Sequence, residues 1–147
     1  MKLYLTSIHI CGIILVLVAV VFPLTIYAQS SRAIAPAAII EVVYFHAPNR
    51  CPTCIATEDR TKEILSKHFR NEIALGRVSF VSLDLKDEKN KALVEKYEIV
   101  FPTLLILKKQ GLKEINTDYS TTAFQYAYSE PEKYEALLKS EIIKNLK

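Results

Sequence analysis

The chain has 147 residues, 50% of them hydrophobic, and its 19 Lys and Arg against 16 Asp and Glu leave a formal charge of +3. That length suits one domain, and with three glycines and no GxxxxGK or GxGxxG run it offers no backbone cradle for nucleotide phosphates. The small basic excess is spread through mixed-sign segments such as residues 86–96, so no stripe is dense enough to bind a nucleic acid.

In chain order, Lys2 and the free amine precede an uncharged, largely aliphatic stretch over residues 10–28, which reaches Pro23 and then Ile26-Tyr27-Ala28 ahead of Gln29. This is the layout of an export signal with a cleavage motif. The stretch also approaches the roughly 20 residues that span a membrane as a helix. Removal of residues 1–28 and retention of an anchor over residues 8–28 both stay open, with membrane contact only in the second case. Either places the remainder outside the cytoplasm, in a periplasmic or other extracytoplasmic compartment. Cys11 reads as a small apolar residue of this stretch.

Residues 29–38 are small, polar or proline and read as a linker to a domain over residues 39–147. Residues 39–45 are nearly continuous in apolar character, as in a strand covered on both faces. His46-Ala47-Pro48-Asn49 makes a turn, and Pro52 suits the first position of a long helix in which Cys54, Thr61, Leu65 and Phe69 share a stripe. Residues 78–85 form a second strand, and Asp87 can cap a helix through about Tyr97 that presents Leu93, Val94 and Tyr97. A third strand over residues 101–107 starts beside Pro102, a turn at Lys109-Gln110-Gly111 follows, and residues 112–116 return antiparallel. A short helix over residues 121–128 leads to a last one from Pro131, with Tyr134, Leu138, Ile142 and Leu146 four apart.

The two cysteines of the domain, Cys51 and Cys54, stand at a helix entrance, and an exported compartment permits a disulfide between them. Strand, Cys-x-x-Cys, helix, strand, helix, then Phe-Pro-Thr opening a strand and a hairpin: this order resembles the thioredoxin superfamily over about residues 39–146. Cys51-Pro52-Thr53-Cys54 carries the resemblance together with Val100-Phe101-Pro102-Thr103, which looks like the superfamily's cis-proline loop. The Tyr-Phe-His, Arg-Cys-x-x-Cys and terminal Pro-Glu-Lys stretches are similar to exported thioredoxin-like proteins of bacterial arsenic-resistance clusters, relatives of nitroreductase subunits.

The resemblance implies an α/β thioredoxin fold, a central mixed sheet flanked by helices, and thiol–disulfide oxidoreductase activity. Cys51 is then the attacking thiol and Cys54 the resolving one, with no cofactor beyond their redox-active disulfide. Phe101, Pro102 and Thr103 form the substrate platform, with Pro102 cis, while Arg50, Pro52 and Thr53 support the thiols. The implied partners are protein thiols and disulfides and a membrane thiol carrier of electrons; the direction of flow stays open. The chemistry agrees, because a helix N-terminus and a neighbouring cation favour the thiolate, the nucleophilic form. Tyr44 departs from the pattern, standing where cytosolic relatives carry a buried Asp. Glu41 falls on the opposite face of that strand and reads as a carboxylate in contact with water. Arg50 replaces an aromatic residue, and an electrostatic role for it is balanced against simple solvation.

Other uses of the two thiols are weaker. Structural zinc needs more ligands than Cys51 and Cys54; His46 lies five residues before Cys51 and His68 on the following helix, but no second cysteine pair is present. A soft ion such as Cu(I) or As(III) could bind the two thiolates with His46 as a third ligand, and this is the rival to exchange. A structural disulfide closing so short a loop would restrict the unfolded chain little. Phe124, Tyr126, Tyr128 and Tyr134 are expected in the core. The pairs Glu58-Asp59 and Glu130-Glu132 are expected to lack the burial that acid–base carboxylates need, and no serine nucleophile elbow is present.

Overall fold

The computed structural model describes residues 37–147; the expected export segment and the lead-in up to residue 36 lie outside them. Strand β1 (Ile39–His46) leads through a turn into α1 (Pro52–His68), a short α2 (Arg70–Ala74) and β2 (Val78–Asp84). A 3-10 turn (Glu88–Asn90) and α3 (Lys91–Lys96) connect to the strands β3 (Thr103–Gln110) and β4 (Lys113–Asp118), and α4 (Ser120–Tyr126) and α5 (Pro131–Leu146) complete the chain. Among the described residues no helix is long and apolar enough to cross a membrane.

The sheet order is β2-β1-β3-β4, with β1 parallel to β2 and antiparallel to β3, and β3 antiparallel to β4. β1 can occupy an inner position because both of its faces are apolar. Ile40, Val42 and Tyr44 enter one core, and Val43 and Phe45 enter the other. The first core is closed by Ile64, Leu65 and Phe69 around α1 and by Tyr134, Leu138 and Ile142 of α5. Val94, Tyr97 and Ile99 cover the opposite face. A parallel βαβ half joined to an antiparallel ββα half in this strand order is the thioredoxin fold, with the mixed sheet flanked by helices that the resemblance implied.

The hairpin differs in detail from expectation. β3 begins at Thr103, where pairing with Phe45 starts, and runs on to Gln110, so Phe101 and Pro102 precede the strand. Gly111 and Leu112 form the loop between Gln110 and Lys113. Gly111 has φ 60°, and a positive φ at the first loop residue suits a type II′ turn, whose twist matches the strands.

The α3 region is also shorter than its periodicity suggested. Asp87 caps the 3-10 turn, its Oδ1 accepting from the Lys89 N–H at 3.0 Å, and Leu93 is left exposed. The helix ends in a Schellman arrangement. Glu98 is left-handed at φ 53°, its N–H reaches the Glu95 carbonyl at 3.2 Å, and the Ile99 N–H reaches the Val94 carbonyl at 2.9 Å. Val94 and Ile99 pack on the same core, the apolar contact that accompanies such a cap.

Candidate active site

The β1–α1 connection brings Cys51 to the N-cap of α1, with extended backbone at φ −79° and ψ 162°. Its Sγ accepts the Cys54 N–H at 3.3 Å, and its carbonyl accepts the Ile55 N–H at 3.0 Å to open the helix. Pro52, next in line, has no N–H to leave unpaired. Both cysteines are free thiols, Cys51 exposed and Cys54 half-buried. Their acidities are driven apart. A hydrogen bond from the Cys54 thiol, then those from the backbone N–H groups of Cys54 and Thr53, push the Cys51 thiol down. Burial, then the bond to Cys51, pushes the Cys54 thiol up, against a lowering contribution from the Tyr44 hydroxyl.

Beneath the thiols lies a polar group that the helical stripe contained but sequence reading passed over. Cys54 and Glu58 are four apart and therefore share a face of α1. Tyr44 and Ser82 are partners in the β1–β2 register, and so are neighbours on one face of the sheet. Contrary to expectation Glu58 is buried, at 7% exposure. Its carboxylate accepts the Ser82 hydroxyl at 2.9 Å and forms ion pairs with Arg50 and Lys62. Burial alone would raise its pKa, but hydrogen bonds from Lys62, Arg50 and Ser82 outweigh that and hold the carboxyl at about 2. Position 58 completes the series 54, 58, 61, 65, and that spacing was the available signal.

Arg50 is thus tied down rather than merely solvated. While one end pairs with Glu58, its guanidinium carbon lies 5.8 Å from the centroid of the Tyr44 ring, within cation–π range. Tyr44 also packs against His46 and Phe124, at centroid distances of 6.2 and 6.4 Å.

The remaining sequence-predicted residues fall in two groups. Pro52 is exposed and Thr53 half-buried on the first turn of α1. Because Phe45 pairs with Thr103 in antiparallel register, the loop before β3 emerges at the same end of the sheet as the loop that carries Cys51. Val100 and Phe101 are each 74% exposed there, Pro102 and Thr103 are half-buried, and the Thr103 hydroxyl donates to the Phe101 carbonyl at 2.7 Å. Among the described residues no peptide bond is cis, so the Phe101–Pro102 bond is trans, against expectation. Trans is the isomer an X–Pro bond favours intrinsically, by about 0.5–1 kcal/mol.

Groups expected to be structural or solvated sort differently. A ring nitrogen of His46 lies 3.0 Å from the Ala47 carbonyl, and His68 pairs with Glu135 at 2.7 Å. Among the described residues no three His, Cys, Asp or Glu side chains come together in a way that could hold a metal ion, so His46 is not assembled with the thiols. Glu41 pairs with Lys109 on the face opposite Tyr44, partly in water as expected. Tyr134 is in the core with Phe124 and Tyr126 packed on it, but Tyr128 is 64% exposed.

No family model matches the chain, and no curated protein matches it. Among the solved structures that the chain matches are three of low identity. A malarial protein is 20% identical over 69% of this chain and 96% of its own, with a TM-score of 0.43. Thioredoxin-2, described as a component of the malaria parasite protein secretion machinery, is 18% identical over 70% of this chain and 84% of its own, at 0.42. A thioredoxin from Thermus thermophilus is 16% identical over 73% and 76%, at 0.35. Likeness at this level carries no argument by itself, and the thioredoxin fold rests on this chain's own strand order and connections.

Proposed function

We propose that the protein is an exported thiol–disulfide oxidoreductase that exchanges disulfides with protein partners through Cys51 and Cys54. The observation that carries this reading is the pairing of an exposed Cys51 sulfur, held at a helix N-cap by the Cys54 N–H, with a half-buried Cys54 one turn inward. Export rests on the uncharged stretch over residues 10–28.

In the dithiol form the Cys51 thiolate attacks a partner disulfide, and one partner sulfur leaves as thiolate. Cys54 then attacks the Cys51 sulfur of the mixed disulfide. The Cys51–Cys54 bond forms as the Cys51–partner bond breaks, so the partner is reduced by two electrons and the motif is oxidised. Run backward, the same steps oxidise a partner dithiol. Arg50 contributes positive charge beside the motif, Pro52 starts the first turn without an N–H to leave unpaired, and the N–H groups of Thr53 and Cys54 favour the Cys51 thiolate. Phe101, Pro102 and Thr103 present backbone and apolar surface to an extended partner segment at the same end of the sheet. Exchange needs no cofactor beyond the two sulfurs, and a membrane thiol carrier is the class of partner able to reset them from across a membrane.

The test is trapping. Cys54→Ser in the exported protein accumulates mixed disulfides with partner proteins that dithiothreitol releases, whereas Cys51→Ser accumulates none. Equal absence of trapped partners in both variants, with the fold intact, would contradict the reading.

A further inference from the structure

Tyr44 is wholly buried, and its hydroxyl has no hydrogen-bond partner of acceptable geometry among the described residues. An unsatisfied buried hydroxyl costs about 1–3 kcal/mol, a cost that a phenylalanine at the same place would remove. The neighbouring atoms give the hydroxyl a use. The ring is gripped by Arg50, His46 and Phe124, with Arg50 itself tied to Glu58. Cys54 shares a face of α1 with Glu58, whose carboxylate takes the hydroxyl of Ser82, the strand partner of Tyr44, so the Cys54 thiol faces the same side of the sheet as the Tyr44 hydroxyl. The two alter each other's ionisation, with Arg50 acting on the same hydroxyl. A neutral thiol is a weak acceptor, which accounts for the unmade bond, while a thiolate is a strong one.

We propose that the Tyr44 hydroxyl donates a hydrogen bond to the Cys54 thiolate and so readies Cys54 to attack the Cys51 sulfur of a mixed disulfide. The role in resolution rests on the exchange reading above. In that step the Cys54 sulfur supplies the electron pair of the new Cys51–Cys54 bond. The partner leaves with the pair of the broken bond and takes up the proton that Cys54 released. Tyr44 keeps its own proton throughout, because burial raises its phenol far above the ordinary range. Nor does Glu58 take up the thiol proton, since three donors hold its carboxyl at about 2 and leave it too weak a base. The charged and titratable groups around the pair are Arg50 and the N-cap Cys51 from the loop, Glu58 and Lys62 from α1, His46 from β1 and Tyr134 from α5.

The experiment follows alkylation of Cys54 against pH in the full-length Cys51→Ser protein, with Tyr or Phe at position 44. Loss of one charge-assisted bond is expected to cut the thiolate fraction about tenfold at fixed pH, moving the profile up by about one pH unit. Unfolding stability stays the same or rises, because the hydroxyl is unbonded while Cys54 is neutral. A purely structural role would do the reverse, lowering stability and leaving the profile in place. With Cys51 restored, Tyr44→Phe leaves formation of the mixed disulfide unchanged. It slows partner release about threefold, less than the thiolate loss, because a more basic thiolate is also more nucleophilic. An unshifted alkylation profile overturns the proposal whatever the exchange assays show. A shifted profile in a protein that exchanges no disulfide sustains the hydrogen bond but overturns its role in resolution, along with the exchange reading.

Discussion

Glu58 takes hydrogen bonds from Lys62, Arg50 and Ser82 in a buried position, so its charge is part of what holds α1 against the sheet. Its pKa of about 2 lies below the ordinary 4.5. A group depressed in the folded state stabilises the fold fully above its unfolded pKa and loses that contribution as pH falls toward its folded one. The window therefore runs from about pH 4.5 down to about pH 2. The size is up to about 3 kcal/mol, lessened by the solvent reaching Lys62. Glu58→Gln is expected to lose most of that at pH 7 and to differ progressively less from the unaltered protein below pH 4.5, which urea unfolding at several pH values reads directly. A constant gap between the two proteins across that range would show that the carboxylate is not ionised as described. At this scale the two cysteines were legible because their spacing and helix entrance are properties of adjacent residues. Glu58 was not, because its burial depends on Arg50 folding back across the motif and on Ser82 arriving from another strand.

Helix α1 is joined to α5 by the Thr61 hydroxyl, which lies 2.7 Å from the Tyr134 hydroxyl and donates to the Thr57 carbonyl at 2.6 Å. Thr61→Val keeps the shape but strands a wholly buried phenol, and is expected to cost about 1–3 kcal/mol in chemical denaturation. Leu138→Ala, in the middle of the α5 stripe, is expected to cost about 2–5 kcal/mol through lost burial and a cavity. If either proved neutral, the α1–α5 contact would not be the core of that face. Glu98→Gly is expected to stabilise by about 1 kcal/mol, because a side chain at φ 53° is strained where glycine is not. The fourfold repeat of Tyr134, Leu138 and Ile142 was visible in the sequence, since a helix packing against a sheet writes its own period. The start of β3 was not. Phe101 and Pro102 are apolar and read as strand, yet pairing begins only where Phe45 can meet Thr103, a matter of register between distant segments.

Across the whole domain, the alternation of elements and the doubly apolar β1 were enough to define a mixed sheet covered on both faces, because burial on both sides leaves little polar residue in a strand. Which end of the sheet gathers the chemistry follows from topology. The antiparallel placement of β3 brings the Phe101–Pro102 loop to the end where α1 begins, so the exposed Cys51, which directly follows an anchored Arg50, shares that end of the sheet with exposed apolar side chains. The trans Phe101–Pro102 bond lay beyond sequence reading, since either isomer is compatible with the same residues. The central claim is that Cys51 and Cys54 form one reversible two-electron couple in the folded protein. Its most direct test is the equilibrium reduction potential of the pair in glutathione and dithiothreitol buffers. The account predicts full reversibility, with a potential within the range of roughly −270 to −120 mV spanned by exchange proteins. A pair that does not oxidise to a disulfide, or a disulfide that those buffers cannot reduce without unfolding the protein, would contradict it.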